Sequence, residues 1–244
     1  MTSRDKLHDT QRERWATQIA ALEAPAATPR PRREPLSTDR IVDAALAILA
    51  DESFDAVTMR RVATALHATP GALYAHVRDK SELDDLMVGS LCARVDLPLP
   101  DAAVWRDQVL DVCRQLRDQY LQYPGISQAA LQAAPRSLDT LRINEGLLAI
   151  LLDAGVAPQT AGWATDALFL YIAAYSVVSL RRHPEEDEAA ETADRADVLE
   201  RFLMLPATRF PNTVAHAAEL TAGHGHDRFD FTVNVILSGI GPGR

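Results

Sequence analysis

The chain has 244 residues, 47% of them hydrophobic, and 25 Lys and Arg against 34 Asp and Glu give it a net charge of −9. So much apolar surface excludes a wholly disordered chain, and the length accommodates one large domain or two modest ones. The acidic balance excludes blanket coating of nucleic acid, which needs an excess of cations, yet leaves room for a small local DNA-reading face.

No unbroken apolar run approaches the roughly 20 residues of a bilayer span, and polar residues follow Met1-Thr2-Ser3-Arg4-Asp5-Lys6 where a signal peptide would carry its apolar segment. Cys92 and Cys113 have neither disulfide-framework nor zinc-type spacing. The expectation is a cytoplasmic protein with no membrane partner.

Residues 1–35 stand apart. Leu7, Trp15, Ile19 and Leu22 recur near helical spacing, and residues 24–33 form a Pro-rich basic linker. This extension carries seven basic and five acidic residues; residues 36–89 carry five and nine, and residues 90–244 thirteen and twenty. Positive charge is thus concentrated ahead of the first domain.

From Ser37 onward the pattern is helical. Ser37 or Thr38 can cap a helix with Ile41, Ala44, Ala45, Ile48 and Leu49 on one face, ended by Asp51-Glu52-Ser53. A short helix runs from Thr58, a candidate cap, through Met59, Val62, Ala63 and Leu66. After His67-Ala68-Thr69 comes a third, Pro70 to Val77, and two short helices joined by so brief a turn describe a helix-turn-helix. A fourth helix follows with Ser81 as its expected cap, and Leu97-Pro98-Leu99-Pro100 marks a domain boundary.

Beyond it, helices are expected near 102–121, 127–134, 137–154, 158–182, 196–203, 211–220 and 227–239. Gly155 suits a residue just past a helix end and Pro158 the start of the next. Residues 185–191 read as a solvated acidic loop. The fold expectation is all-α, with an extension at 1–35, a helix-turn-helix domain at 36–97 and a larger helical domain at 98–244.

The segment Thr58-Met59-Arg60-Arg61-Val62-Ala63-Thr64-Ala65-Leu66, followed by Gly71-Ala72-Leu73-Tyr74-Ala75-His76-Val77-Arg78-Asp79-Lys80-Ser81-Glu82-Leu83, resembles the DNA-binding domain of the TetR family of transcriptional repressors. The family's first helix precedes it as Ile41-Val42-Asp43-Ala44-Ala45-Leu46. His67 departs from the family's usual Gly, although His tolerates positive φ better than most residues. Trp105, Tyr123-Pro124, residues 151–155, Tyr171, Phe210-Pro211 and the terminal 227–231 and 237–240 segments resemble the C-terminal domain of the tetracycline-repressor type. The resemblance covers about residues 36–240.

A recognition helix enters the major groove by its N-terminal end, so residues 69–76 are expected to face DNA. Thr69, Pro70, Gly71 and Ala72 make a small tip suited to thymine methyls and close backbone approach. Arg60 is the candidate for a guanine, since a guanidinium fork matches O6 and N7, with a phosphate or solvent as the alternative. Thr58, Tyr74, His76 and Lys80 resemble family positions that grip the sugar-phosphate backbone; for Tyr74 the alternative is core packing. Arg61 and Arg78 are given no specific role.

With so few cations, affinity requires two half-sites bound together. The apolar stretch 164–178 is either an internal helix or one shared between subunits. The resemblance implies that it pairs with the C-terminal helix across a two-fold axis, with Phe169, Ala173, Ser176, Val177, Val233, Ile236, Leu237 and Ile240 at the interface. It also implies an effector pocket, for which Trp105, Cys113, Leu116, Tyr120, Leu131, Leu138, Arg142 and Trp163 are candidate lining residues, each with plain core or surface as its alternative. Such walls suit a hydrophobic effector, anionic if Arg142 points inward.

His224-Gly225-His226 with His216 read as a turn rather than a metal site, although some tetracycline repressors bind a magnesium-chelated ligand through a histidine. No phosphate loop, nucleophile elbow or His-Glu-x-x-His sequence is present, so neither a catalytic residue nor a cofactor is expected. The functional expectation is a dimeric, ligand-responsive repressor of a palindromic DNA operator. A helical binding module with a vestigial helix-turn-helix is the alternative, and an enzyme a more distant one. Arg30, Arg32 and Arg33 are expected to reach an adjacent minor groove, with a flexible tail or a helix packed on its own dimer as the alternatives.

Overall fold

A computed structural model describes residues 35–132, 137–180 and 188–241. The expected N-terminal helix and basic arm lie outside the described residues. The chain from Leu36 on forms one compact unit, helical throughout and without a strand among the described residues.

The first four helices are α1 (Thr38–Asp51), α2 (Met59–Ala65), α3 (Pro70–Tyr74) and α4 (Lys80–Ala93). Three begin with a hydroxyl cap that satisfies an otherwise orphaned N–H, and the fourth with a carboxylate. Ser37 accepts from the Arg40 N–H at 3.3 Å, Thr58 from Arg61 at 3.1 Å and Thr69 from Ala72 at 3.3 Å. The buried faces, Ile41, Ala45, Ile48 and Leu49 on α1, Met59 and Val62 on α2, and Leu73 with Val77 around α3, close one small core.

The cap of α4 departs from expectation. Asp79, not Ser81, holds the position and accepts the Glu82 N–H at 2.9 Å, while the Glu82 carboxylate takes the Arg78 N–H at 2.6 Å. A carboxylate answered by a Glu three residues on satisfies two donors at once, and negative charge there suits the helix dipole. Burial pushes the Asp79 carboxyl up, but the Glu82 N–H and the Arg78 guanidinium outweigh it and leave it below the ordinary value.

The remaining helices are α5 (Trp105–Gln122), α6 (Ile126–Gln132), α7 (Leu138–Asp153), α8 (Pro158–Leu180), α9 (Glu188–Leu203), α10 (Pro211–Ala215), α11 (Ala217–Thr221) and α12 (Asp227–Gly239). Ser137 caps α7 through the Thr140 N–H at 3.1 Å, and Gly155 follows that helix at φ 80°. The helix α8 is central: it packs on α5, α6, α7 and α12. Contrary to expectation it is long and apolar enough to cross a bilayer, with a mean hydropathy of 1.3 over 158–179. It instead buries Ala161, Leu168, Ile172 and Ala173 against its neighbours.

Two further expectations change. The helix α9 begins at Glu188, eight residues before the expected 196, so part of the acidic 185–191 segment is helical. Acidic residues are favoured in a first helical turn and the following alanines propagate it. The expected helix 211–220 is two short ones, broken at His216, where φ is −118° and ψ 24°.

The first four helices are tied to the rest by α4, which packs on α5, α6 and α7. Contact with α7 is close: a Cβ at Gly89 would lie 2.6 Å from Ser137 Oγ and 2.8 Å from its Cβ. Only glycine permits that approach.

Candidate DNA-binding face and regulatory core

The turn between α2 and α3 passes through His67 at φ 51°, the only positive value at a described non-glycine residue. His67 thus takes the left-handed conformation that the turn demands, at modest steric cost. Leu73 and Val77 anchor α3 inward, and its other side is left to solvent.

On that outer side stand Thr69, Pro70, Gly71, Ala72, Tyr74 and His76, all exposed, with Thr58 and Arg60 exposed at the start of α2. Tyr74 is half-exposed rather than packed in the core. Thr58 and Thr69 spend their hydroxyls as helix caps. A Cβ at Gly71 would meet nothing within 4 Å, so no contact within the chain requires a glycine there. The bare backbone serves something outside the chain or nothing.

The cations divide sharply. Arg61 is paired with Glu52 at 2.6 Å, and Arg78 with Asp79 at 2.9 Å. Lys80 pairs with Asp84 one helical turn on and lies 4.3 Å from the centre of the Phe54 ring, so it is held rather than extended. Among the described residues Arg60, exposed at the start of α2, makes no side-chain hydrogen bond or ion pair. Such a guanidinium can donate a bidentate pair to a base edge or a phosphate without breaking a bond within the described chain.

The expected pocket residues are not brought together as a set. Trp105, Cys113, Leu116 and Tyr120 are buried along α5, while Leu138 is half-buried and Leu131 exposed. Trp163, 67% exposed, lies on the surface of α8. Arg142 does not supply a cation to a pocket. Its Nη2 donates to the carbonyls of Cys92 and Val95, both at 2.8 Å, closing the C-terminal end of α4 where carbonyls have no helical partner.

Around these residues lies a buried polar string. Ser137 Oγ and Thr140 Oγ1 are 2.7 Å apart, and the Thr140 hydroxyl donates to Cys92 Sγ at 3.8 Å. Burial pushes the Cys92 thiol up to about 11 and the Cys113 thiol up to about 12, so both stay protonated and poor as nucleophiles. Gln119 Oε1 and Ser127 Oγ, on α5 and α6, are buried without a hydrogen-bond partner.

The expected interface also changes. Ala173, Ser176, Val233 and Leu237 are buried within the chain's own core, and the Ser176 hydroxyl bonds its own helix at the Ile172 carbonyl, 2.9 Å away. Phe169, Val177, Ile236 and Ile240 are half-buried. The exposed apolar side chains are instead Trp163, Leu170 and Val178 on α8 and Phe231 and Val235 on α12. With Ala167 and Ala174, those of α8 fall four, three, four and four residues apart, which is one helical stripe. Because α8 is apolar all round, its periodicity could not separate the inner face from the outer.

The last helix, α12, packs on α5 and α8. Asp230 pairs with Arg114 of α5 at 2.5 Å, and the buried Arg117 lies 4.7 Å from the centre of the Phe229 ring. The Arg114 hydrogen bond holds the Asp230 carboxyl below its ordinary value. His226 Nδ1 is 2.8 Å from the Tyr175 hydroxyl and His224 Nδ1 3.2 Å from Arg195, so both histidines have protein partners. Sequence reasoning missed a cleft of about 560 Å³ bordered by α8, α9 and α11. Its only signal is a scatter of arginines, Arg195, Arg201 and Arg228, in an acidic half of the chain.

Residues 41–84 match the family described as bacterial regulatory proteins, tetR family, and residues 97–242 match the tetracyclin repressor-like C-terminal domain. A transcriptional regulator of the helix-turn-helix type from Saccharopolyspora erythraea is 31% identical over 157 residues, which are 64% of this chain and 66% of that one. The transcriptional repressor DrrR1 of Streptomyces coeruleorubidus is 28% identical over 86% of this chain and 80% of its own. The structure of apo ActR from Streptomyces coelicolor superposes with a TM-score of 0.76 at 30% identity, covering 86% of this chain and 96% of ActR. A structure of ActR in complex with actinorhodin gives the same score. With both halves of the family pattern matched in order, the chain belongs to the TetR family of transcriptional regulators.

Proposed function

We propose that the chain acts as a homodimeric repressor that binds a palindromic operator and is released by a small-molecule effector. Residues 36–97 read the DNA, and residues 98–244 bind the effector and the second subunit. The observation that carries the reading is the solvent-facing tip of α3, made of Thr69, Pro70, Gly71 and Ala72 above a packed core, together with the exposed Arg60 at the start of α2. In this reading the α3 tips enter major grooves about 34–36 Å apart on one face of the duplex. Tyr74, His76 and Lys80 hold the sugar-phosphate backbone, Lys80 after exchanging Asp84 for a phosphate.

The dimer forms through the outer stripe of α8 and Phe231 and Val235 of α12, large apolar side chains that are exposed among the described residues. For the effector, the walls are the buried α5 residues Trp105, Cys113, Leu116 and Tyr120. The orphaned Gln119 and Ser127 atoms would anchor a mainly hydrophobic molecule, since an unmet buried polar atom costs about 1–3 kcal/mol that a ligand can recover. ActR, a protein of the same fold, has been solved in complex with actinorhodin, which supports a small-molecule effector for this chain. An effector that prefers the released state by about 3 kcal/mol weakens operator binding about 150-fold.

The protein is read as cytoplasmic, without enzymatic activity, cofactor or resident metal. A gel shift on DNA upstream of its own gene tests the reading: a specific complex at moderate salt is expected, and its absence removes the claim.

A further inference from the structure

The cleft between the C-terminal half of α8, α9, α11 and the turn into α12 lies apart from the helical core assigned to the effector. Its volume of about 560 Å³ falls within the roughly 300–1,000 Å³ that holds a drug-sized ligand. The apolar walls come from Val198, Phe202 and Leu220 with the Tyr175 ring among them, and Val178, at the end of the outer α8 stripe, stands where the cleft meets the proposed dimer face. The charged lining runs against the rest of the molecule: three arginines, Arg195, Arg201 and Arg228, face one carboxylate, Asp197, in a chain of net charge −9. A cleft lined by one sign of charge with low-dielectric walls concentrates the opposite ion.

The cations are already positioned. Arg228 donates to the Leu220 carbonyl at 2.7 Å and, more weakly, to Ala222 at 3.4 Å, so carbonyls rather than a carboxylate hold its charge. Arg195 donates to the Gly223 carbonyl and lies 3.2 Å from His224 Nδ1. A guanidinium can only donate, so Nδ1 accepts and the His224 proton sits on Nε2, a further donor at the cleft. Arg201 is well exposed and, among the described residues, is bonded only to Asp197 one turn earlier, at 2.5 Å. Such a surface pair is worth little in water, and Arg201 is free to turn to a better anion.

We propose that this cleft is a second ligand site that takes an aromatic carboxylate, its ring against Phe202, Val198 and Leu220 and its carboxylate on Arg201 and His224. A free inorganic anion would leave the apolar walls uncovered, and a neutral aromatic would leave the cations unanswered. The site does not depend on the effector reading, because its lining shares no residue with the buried α5 wall.

Isothermal titration of the full chain with 2-naphthoate and with the neutral 2-naphthalenemethanol tests it. Naphthoate is expected to bind at least about tenfold more tightly than the alcohol, with the preference falling to within about threefold in Arg201→Gln. In Val198→Trp, which fills the cleft, both ligands are expected to lose binding. The proposal is overturned if the wild type binds neither, if the preference survives Arg201→Gln, or if a folded Val198→Trp binds both as before. Should Val198→Trp fail to fold, the exposed Arg201→Gln decides alone. Loss of operator release with cleft binding intact would count against the effector reading only.

Discussion

The tip of α3 and the outer stripe of α8 are both surfaces that the folded chain leaves uncovered, and they are opposites in chemistry. The first is small, polar at its edge and flanked by an unpaired guanidinium, with its caps and core fully satisfied beneath. The second is a row of large apolar side chains on a helix whose other face is already buried. A polar surface with a spare cation calls for a charged, hydrogen-bonding partner, and an apolar stripe calls for another apolar stripe. One molecule therefore shows two unmet needs, and in the proposed dimer meeting the second brings two copies of the first together.

The largest expected effect comes from breaking the apolar face while sparing the polar one. Leu170→Asp, at a position already 64% exposed, leaves the fold intact but puts a charge into the proposed interface. Sedimentation velocity is expected to show a monomer, and operator affinity to fall by about 100-fold or more as the bivalent advantage is lost. A variant that stays dimeric would move the interface elsewhere. Breaking the polar face instead, Arg60→Ala is expected to cost about 1–3 kcal/mol and to relax discrimination at one base position. Equal loss on every operator variant would assign Arg60 to a phosphate.

Gly71→Ala sharpens the comparison further. Nothing within the chain opposes the added methyl, so the melting temperature should hold or rise, while operator affinity falls by about 1 kcal/mol if DNA approaches the backbone there. Unchanged affinity would mean that the approach is not close. A smaller effect, below about 1 kcal/mol, is expected for Lys80→Ala, uniform across sequences and with the salt slope reduced by about one, because the lysine must first leave Asp84 and Phe54.

The smallest effect concerns the ion pair that ties α12 to α5. Arg114→Ala is expected to lower stability by at most about 1 kcal/mol, after allowance for the exposure of the pair. The folded Asp230 pKa lies below the ordinary 3.8, so this contribution is present above the unfolded value and lost as pH falls through the folded one. The difference between wild type and variant should begin to shrink near pH 3.8 and close below the lowered folded value. Thermal melts from pH 7 down to pH 3 would show it, and a difference that persists in acid would assign the loss to packing instead.

Much of the DNA-binding half was legible because its signals are local. Ser37, Thr58 and Thr69 are caps that a sequence displays directly, and His67 at φ 51° is what a tight inter-helix turn must contain. Where local signals compete, reading fails: Ser81 looked like a cap, but Asp79 with its reciprocal Glu82 won by satisfying two donors. The regulatory half depends on tertiary choice. A helix apolar on every side does not reveal which face is buried, so Ala173 and Ser176 went to the wrong side. Nor can spacing tell that Arg142 will close the end of α4, a partner nearly fifty residues away.

Titration of a fluorescent palindromic operator, with the stoichiometry read by native mass spectrometry, tests the central claim most directly. Two chains per duplex are predicted in a specific complex that persists near 0.15 M salt, and a single half-site should bind at least about 100-fold more weakly. Full affinity of one chain for one half-site, or equal binding to random DNA, would contradict it.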